Sequence, residues 1–187
     1  MGRFGESLGA LRRGPVGFKL HEVMTGHHEF EPGCGPPGRH PMVFRVDWGP
    51  RDVRAWLRRG TDTFLSQELE GRVTVGGLCD ETPCLGALEL RYFDERRIRY
   101  AFGFEVQGRA YRYVGEKVNI RVWNLPVSHT TCFGRLVEAE TGRLVSTSVT
   151  HFRLRTAPRF LTSLRLRLRP GAGKAGEETG SAWRLVP

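Results

Sequence analysis

Several histidines are the first candidates for metal chemistry in this sequence. They are His27, His28, His40, His129 and His151. Adjacent residues of a strand point to opposite faces, so His27 and His28 cannot easily bind the same ion. His129 and His151 lie on strands that the pattern places side by side, but no acidic residue completes a zinc-like ligand set with them. The sequence therefore predicts neither a metal site nor a cofactor.

Nucleophilic catalysis has little more support from the spacing of the residues. Cys132 and His129 are three residues apart, which places their side chains on opposite faces of a strand. Ser128, Thr130 and Thr131 stand beside them, but no nucleophile elbow surrounds these hydroxyl groups. The phosphate-binding pattern GxxxxGK[ST] does not occur in the chain. An enzyme that acts on a lipid-like substrate is therefore the least favoured of three functional hypotheses.

A charged pair, Glu116 and Lys117, interrupts a run of apolar and aromatic residues. If this run is a strand, one member of the pair faces inward and the other outward. An inward Lys117 needs a carboxylate or a ligand anion, because an unpaired buried charge is costly. The alternative is a surface ion pair, which is the usual situation for lysine.

Aromatic residues recur on consecutive predicted strands. The period of two places Phe102 and Phe104 on one face of their strand, and Tyr111 and Tyr113 on one face of the next. Such a cluster is most simply a hydrophobic core, and the alternative is the wall of a ligand cavity. The candidate ligand-binding residues are Lys117, Tyr100, Phe102, Phe104, Tyr111, Tyr113 and Thr131.

The chain is strongly basic, with a net charge of +9 that comes almost entirely from arginine. A GC-rich genome would explain this bias, whereas a segment near the C-terminus suggests an anionic partner. Its candidate contact residues are Arg153, Arg155, Arg165, Arg167 and Arg169. These could meet a partner protein or an anionic membrane surface, although an edge strand protected by arginine has the same pattern. The sequence does not favour nucleic acid as a partner, because the other basic residues are spread along the chain.

The composition is typical of one β-rich domain. The chain has 187 residues, of which 39% are hydrophobic, and it contains 24 Gly and 11 Pro, which favour many turns over a few long helices. We expect its four cysteines to be reduced, because no pair has a zinc-knuckle or disulfide-framework spacing. Neither a signal peptide nor a long apolar segment is evident, which predicts a cytoplasmic protein that is at most peripheral to a membrane.

Alternation of apolar and polar residues predicts a succession of strands within a domain at 16–169, between flexible segments at 1–15 and 170–187. The predicted strands span 16–30, 42–48, 68–78, 85–93, 98–106, 110–123, 128–140, 143–155 and 160–169. A loop is expected at 31–41, and one short helix at 51–59, with Pro50 before its first turn and Gly60 after its last.

The connections between these strands are short, which favours antiparallel pairing of sequence neighbours in a meander. About eight or nine such strands remove their exposed edges most simply by closing into a barrel. The predicted fold class is therefore an all-β antiparallel barrel with one short helix, and a two-sheet sandwich is the alternative. A barrel of about eight strands has an interior that side chains can fill or that holds one small ligand.

Four stretches form a recognisable series when taken in order. They are KLHEVMTGHHEF (19–30), YRYVGEKVN (111–119), SHTTCFGRL (128–136) and RLVSTSVTHFRLRTAPRFLTSLR (143–165). In order and spacing they resemble the β domain that accompanies bacterial cholesterol-oxidase-like proteins of the glucose–methanol–choline oxidoreductase type. The resemblance covers about 16–168.

This resemblance implies a calycin-like (lipocalin-like) barrel with an accessory role beside lipid or sterol chemistry. The residues that match its motif positions are Met24, Gly26, Gly115, Lys117, Thr130 and Thr131. The chain departs from the pattern at Ser128-His129, where the family has an acidic residue before its threonines, and at Cys132, where it has a third threonine. Because the sequence contains no flavin domain, the resemblance does not imply oxidoreductase activity.

The first functional hypothesis is therefore non-catalytic binding of a hydrophobic small molecule or lipid inside the barrel. The second is an interaction module that uses the basic segment from Arg153 to Arg169, and the third is the enzyme without a recognisable motif.

Overall fold

The computed structural model describes residues 16–61, 64–91, 95–117, 131–152 and 165–168. The segments predicted to be flexible, 1–15 and 170–187, lie outside these ranges. The described elements are β1 (Val16–Phe30), β2 (Arg39–Trp48), α1 (Val53–Trp56), β3 (Ser66–Val75), β4 (Cys79–Arg91), β5 (Arg97–Val106), β6 (Arg109–Lys117), β7 (Thr131–Glu138), β8 (Leu144–Phe152) and β9 (Arg165–Leu168).

The strands form a closed antiparallel barrel. Strands β2 to β8 pair in sequence order, β8 pairs with β1, and β1 closes the barrel by pairing with β2. The first residues of β1 extend beyond the barrel wall and pair with β9. The predicted all-β class and closed meander are confirmed, and the sandwich alternative is wrong, because one continuous sheet returns to its own first strand.

Two glycines show how tightly the wall is coiled. A Cβ atom at Gly26 would lie 2.0 Å from the carbonyl oxygen of Val149 on β8. The same atom at Gly71 would lie 2.0 Å from the carbonyl oxygen of Arg45 on β2. Since no side chain fits at such distances, glycine lets the neighbouring backbones approach where the sheet bends into a barrel.

The hairpin turns have residues that suit them. Between β5 and β6, Gln107 and Gly108 both have positive φ values of 49° and 76°, as a two-residue hairpin of type I′ requires. Gly142, with a φ of 70°, serves the turn between β7 and β8. The predicted short connections between these strands are confirmed.

Several predicted boundaries are wrong. The expected loop at 31–41 ends earlier, because β2 begins at Arg39 and its first residues pair with the end of β1. Gly76 and Gly77 lie within the strand predicted at 68–78, but β3 ends at Val75 and they form the turn to β4, which begins at Cys79. The reason is the φ of +82° at Gly77, which turns the chain back on itself.

The helix is shorter than predicted. The expected span was 51–59, whereas α1 comprises one turn over Val53–Trp56. Asp52 caps it, since its carboxylate accepts hydrogen bonds from the backbone N–H groups of Arg54 and Ala55. Pro50 precedes the helix and is hydrogen-bonded to the sheet, because its carbonyl accepts a hydrogen bond from the N–H of Phe18 in β1.

The barrel has two unlike ends. At the helix end, β2, β4, β6 and β8 finish and α1 follows β2. At the hairpin end, the loop 31–38 and three tight turns join the strands. The inner wall is also uneven: β2 to β5 contribute large apolar side chains such as Phe44 and Leu88, whereas β8 contributes the small polar residues Ser146, Ser148 and Thr150.

Candidate functional site

A buried ion pair lies inside the barrel at the helix end. Lys117 is the last residue of β6 and Glu22 faces inward from β1, and their side chains are 4% and 5% exposed. Lys117 Nζ donates a hydrogen bond to Glu22 Oε1 at 2.8 Å. Lys117 thus faces the interior and has the carboxylate partner that its sequence context required. Glu116 faces the other way, toward Arg97 on the outer surface.

Two further donors hold the carboxylate of Glu22. The Tyr100 hydroxyl lies 3.0 Å from each of its oxygen atoms, and Trp48 Nε1 donates to Oε2 at 3.0 Å. Lys117 Nζ lies 5.0 Å from the ring centre of Tyr100 and 5.8 Å from that of Phe152. We call Glu22, Trp48, Tyr100 and Lys117 the Glu22 cluster.

The Glu22 cluster is electrically neutral and well supplied with hydrogen bonds. An isolated buried charge would be expensive, and a close partner with additional donors offsets that cost. The aromatic faces beside Lys117 add a cation–π attraction of about 0.5–2 kcal/mol. The Glu22 cluster therefore keeps polar groups inside the barrel without leaving either the carboxylate or the ammonium group unpaired.

The helix covers part of this end of the barrel. The ring of Phe18 contacts those of Trp48 and Trp56, with centroid distances of 6.2 and 5.7 Å. Trp56 Nε1 donates to Gln67 Oε1 at 2.7 Å, which fixes the orientation of that amide. Gln67 Nε2 is then buried and has no hydrogen-bond partner among the described residues. It is an unused donor on the inner face of β3.

The predicted aromatic residues meet in the middle of the barrel. Phe44 lies 5.7, 5.5 and 5.7 Å from Tyr100, Phe102 and Tyr113 respectively, measured between ring centroids. Phe102 and Tyr113 are 4.8 Å apart. These contacts show that the rings form a packed core at this level. Phe104 and Tyr111 stack at 5.7 Å nearer the hairpin end.

Tyr113 lies over two glycines on the inner wall. Gly115 and Gly134 are direct partners on β6 and β7. A Cβ atom at Gly134 would lie 2.1 Å from the Tyr113 hydroxyl oxygen, so the ring occupies the space that a side chain would take. The hydroxyl lies 3.2 Å from Ser148 Oγ, and burial raises the pKa of Tyr113 well above its usual value.

Two cysteines are buried in the wall. Burial raises the pKa of Cys132 to about 12, and the nearby Lys117 opposes this only in part. Burial and the neighbouring Cys79 likewise raise the pKa of Cys84 to about 12. Both groups are therefore thiols at neutral pH, and a thiol is a far weaker nucleophile than a thiolate.

A second buried polar group lies at the hairpin end. His28 is fully buried, and its Nε2 lies 3.0 Å from the carbonyl oxygen of Gly76, so Nε2 carries the proton and donates it. Nδ1 has no partner among the described residues. Burial lowers the pKa of His28, the bond to Gly76 opposes this, and His40 and His27 lower it further. His28 is therefore neutral at pH 7.

The structure does not bring every candidate residue to the Glu22 cluster. Thr131 faces outward, where its hydroxyl lies 3.1 Å from His151 Nδ1. It was expected among the ligand-binding residues inside the barrel, and the alternation along β7 places it on the opposite face. His129 and the basic residues Arg153, Arg155 and Arg169 lie outside the described residues, as do the side chains of Arg165 and Arg167.

Two grooves lie on the outer face of the barrel. One, of about 520 Å³, crosses β1, β8, β7 and β6 and contains Phe133, whose surface is 54% exposed. The other, of about 510 Å³, crosses β1 to β4 and is lined by charged residues such as Asp47 and Glu81. The latter residues form ion pairs with Lys19 and Arg45. Sequence reasoning did not identify either groove.

Metal and nucleotide chemistry receive no support from the described residues. No group of three potential ligands among them is placed to hold a metal ion. The sequence does contain GCGPPG (33–38), which has the glycine spacing of a dinucleotide-binding loop. This segment joins two antiparallel strands rather than a strand and a helix, so it lacks the helix N-terminus that binds a pyrophosphate. A GxSxG spacing, GESLG (5–9), lies outside the described residues.

Comparison with known proteins adds no relative. No family model matches the sequence, and no match was found among curated proteins or solved structures. The resemblance to the β domain of cholesterol-oxidase-like proteins therefore stays a prediction. Among the described residues, the structure has no helix with the length and hydropathy of a membrane span.

Proposed function

We propose that the barrel binds a small hydrophobic molecule or lipid without catalysing a reaction, and that the site lies at the helix end. The observation that carries this proposal is the Glu22 cluster, because it places charged groups inside a barrel that is otherwise lined mainly by apolar residues. Well-packed hydrophobic residues often stabilise a protein as much as or more than a buried ion pair. A polar group at one end of an apolar interior is also the usual arrangement of a small-molecule site, where a few polar atoms fix the orientation of the ligand.

The packed rings favour one part of the barrel interior for the proposed site. Phe44, Phe102 and Tyr113 fill the middle of the barrel, so a ligand that crossed this level would have to displace them. We therefore place the ligand between this layer and the helix end, against Tyr100 and Lys117. This refines the sequence hypothesis, in which Phe104 and Tyr111 also line the site. These two residues belong to the hairpin half of the core.

The described groups nearest the Glu22 cluster support binding over catalysis. The buried thiol closest to the cluster, Cys132, is protonated at neutral pH because burial raises its pKa to about 12. The carboxylate of Glu22 is occupied by Lys117, Tyr100 and Trp48. Neither group is placed to attack a substrate or to remove a proton from one.

The calycin-like class and an accessory role in lipid or sterol metabolism belong to the same proposal. Their support is the closed antiparallel barrel together with the series of motifs that includes Met24, Gly26, Gly115 and Lys117. A cytoplasmic location is part of the proposal too.

Native mass spectrometry of the purified protein, followed by denaturing extraction, is the first test. We expect a stoichiometric apolar adduct, or, for apo protein, saturable binding of the neutral fluorophore N-phenyl-1-naphthylamine. A matched variant, Phe133→Ser, removes the exposed ring of the outer groove and should bind the fluorophore as the wild type does. Loss of binding in Phe133→Ser would move the site to the outer face, and absence of both adduct and binding in the wild type would refute the proposal.

A further inference from the structure

The Glu22 cluster also restricts the charge of a ligand. Among the described residues, the buried charged side chains are Glu22 and Lys117. They neutralise each other at 2.8 Å. Any ionised ligand placed beside them would therefore bring an additional charge into a region of low dielectric constant, where the described residues offer no further buried counter-charge.

Among ionised ligands, a carboxylate is the one that the Glu22 cluster disfavours most. Among the described residues, Lys117 is the one buried cation, and its Nζ already contacts Glu22 and lies near two aromatic faces. A fatty acid that approached Lys117 would place its own carboxylate next to that of Glu22. Two carboxylates sharing one cation repel each other, and one of them would remain an unpaired charge.

A neutral ligand oxygen, by contrast, has a donor available. Gln67, Leu88 and Tyr100 are direct partners in register on β3, β4 and β5. Gln67 is therefore about two strand spacings, or roughly 10 Å, from Tyr100 along the inner wall. Its Nε2 is buried without a partner among the described residues, and a hydroxyl, ketone or ester oxygen would accept its hydrogen bond.

We infer that the barrel selects neutral apolar molecules with a hydrogen-bond-accepting oxygen, such as alcohols, ketones and esters, over fatty-acid anions. This inference rests on the proposed function, because it names the class of ligand for the same site. The cluster then acts as a charge filter: the internal carboxylate of Glu22 occupies the position that a ligand carboxylate would need.

The test compares probes of matched chain length. Isothermal titration calorimetry at pH 7.5 would measure the binding of decan-1-ol, methyl decanoate and sodium decanoate to the wild-type chain. We expect the two neutral probes to bind at least about tenfold more tightly than decanoate, because the anion carries an unpaired charge into the site. Decanoate that binds as tightly as the neutral probes would overturn the inference and leave the proposed function intact. Binding of none of the three would overturn both.

Two variants test the roles of individual side chains. In Glu22→Gln the internal carboxylate is gone, so decanoate should bind at least about tenfold more tightly than it binds the wild type. Glu29→Gln is the matched control, since Glu29 lies on the outer face in an exposed pair with Arg39 and its removal should leave the preference unchanged. Gln67→Leu should weaken methyl decanoate about tenfold, and unchanged affinity would remove Gln67 from the site. The comparison of probes on the wild type decides the inference even if Glu22→Gln does not fold.

Discussion

The two ends of the barrel bury polar groups in different ways. At the helix end, Glu22 and Lys117 are charged and satisfy each other with help from Tyr100 and Trp48. At the hairpin end, His28 is a neutral imidazole with one nitrogen hydrogen-bonded and the other without a partner among the described residues. The comparison shows that a buried charge depends on a specific partner, whereas a buried neutral group depends on remaining neutral. The two ends should therefore fail under different perturbations.

The largest expected effect is the loss of the cation at the helix end. In Lys117→Met the carboxylate of Glu22 remains buried without its counter-charge, and we expect the free energy of unfolding to fall by about 3–5 kcal/mol. Lys19→Met is the control, because Lys19 makes partly exposed pairs with Asp47 and Glu70, and such solvent-accessible pairs are worth about 0–1 kcal/mol. Urea denaturation measures both. Similar losses of unfolding free energy in the two variants would mean that the buried pair stabilises the fold no more than the pairs of Lys19 do.

Removing the second charge should restore part of that stability. In the double variant Glu22→Gln/Lys117→Met, the glutamine amide oxygen still accepts hydrogen bonds from Tyr100 and Trp48, and no charge remains buried. We expect the double variant to be more stable than Lys117→Met by at least about 1 kcal/mol, because much of the single-variant cost is the unpaired charge. The measurement is a double-mutant cycle by urea denaturation. Strictly additive losses would contradict this account of the helix end.

Acid should act on the hairpin end through His28. Burial lowers its folded-state pKa below the unfolded value of 6.5, so the unfolded chain binds a proton first as the pH falls. The stability that neutral His28 contributes is thus complete above pH 6.5 and declines toward the lowered folded-state pKa, by up to about 1.4 kcal/mol per pH unit. Urea denaturation at pH 7.5, 6.0 and 5.0 should show a steeper decline for the wild type than for His28→Gln.

His27→Gln provides the control for the acid experiment. His27 neighbours His28 in the chain but points to the outer groove. Its pH profile should stay close to that of the wild type, because burial, the main cause of the lowered pKa of His28, remains when the smaller contribution of the His27 charge is removed. If His28→Gln and the wild type had parallel profiles, His28 would not be the group through which acid acts on this end.

Thiol reactivity should give the smallest effect, with no change in stability expected. Cys132 beside Lys117 and Cys84 in β4 are buried, and burial raises the pKa of each to about 12. Cys34 in the hairpin-end loop and Cys79 at the start of β4 are partly exposed. A disulfide reagent such as 5,5′-dithiobis(2-nitrobenzoate) should modify Cys34 and Cys79 in the native protein, and the other two only after denaturation. Rapid native modification of Cys132 would show that the helix end is accessible to solvent.

The local alternation of apolar and polar residues was enough to predict most strands of the barrel wall. The alternation at Tyr100, Phe102 and Phe104 identified the inward face of β5, and all three side chains are buried. The short connection between the strands predicted at 98–106 and 110–123 indicated a tight hairpin, and Gln107 and Gly108 adopt one. Strand boundaries were less predictable where glycine or proline is compatible with two local structures. Gly76-Gly77 is an example, because a bend within a strand and a turn between strands require the same residues.

The sequence by itself determined the all-β class, the order of antiparallel neighbours and the requirement that an inward Lys117 find a counter-charge. Each of these follows from residues close together in the chain, through the period of two and the chemistry of short turns. Only the tertiary structure decided which carboxylate that would be. Glu22 is 95 residues from Lys117 in sequence, and the two meet because closure of β1 onto β2 and β8 turns them toward the same interior. The same closure, and the strand register that it imposes, packed the aromatic rings across the middle of the barrel and left Thr131 outside.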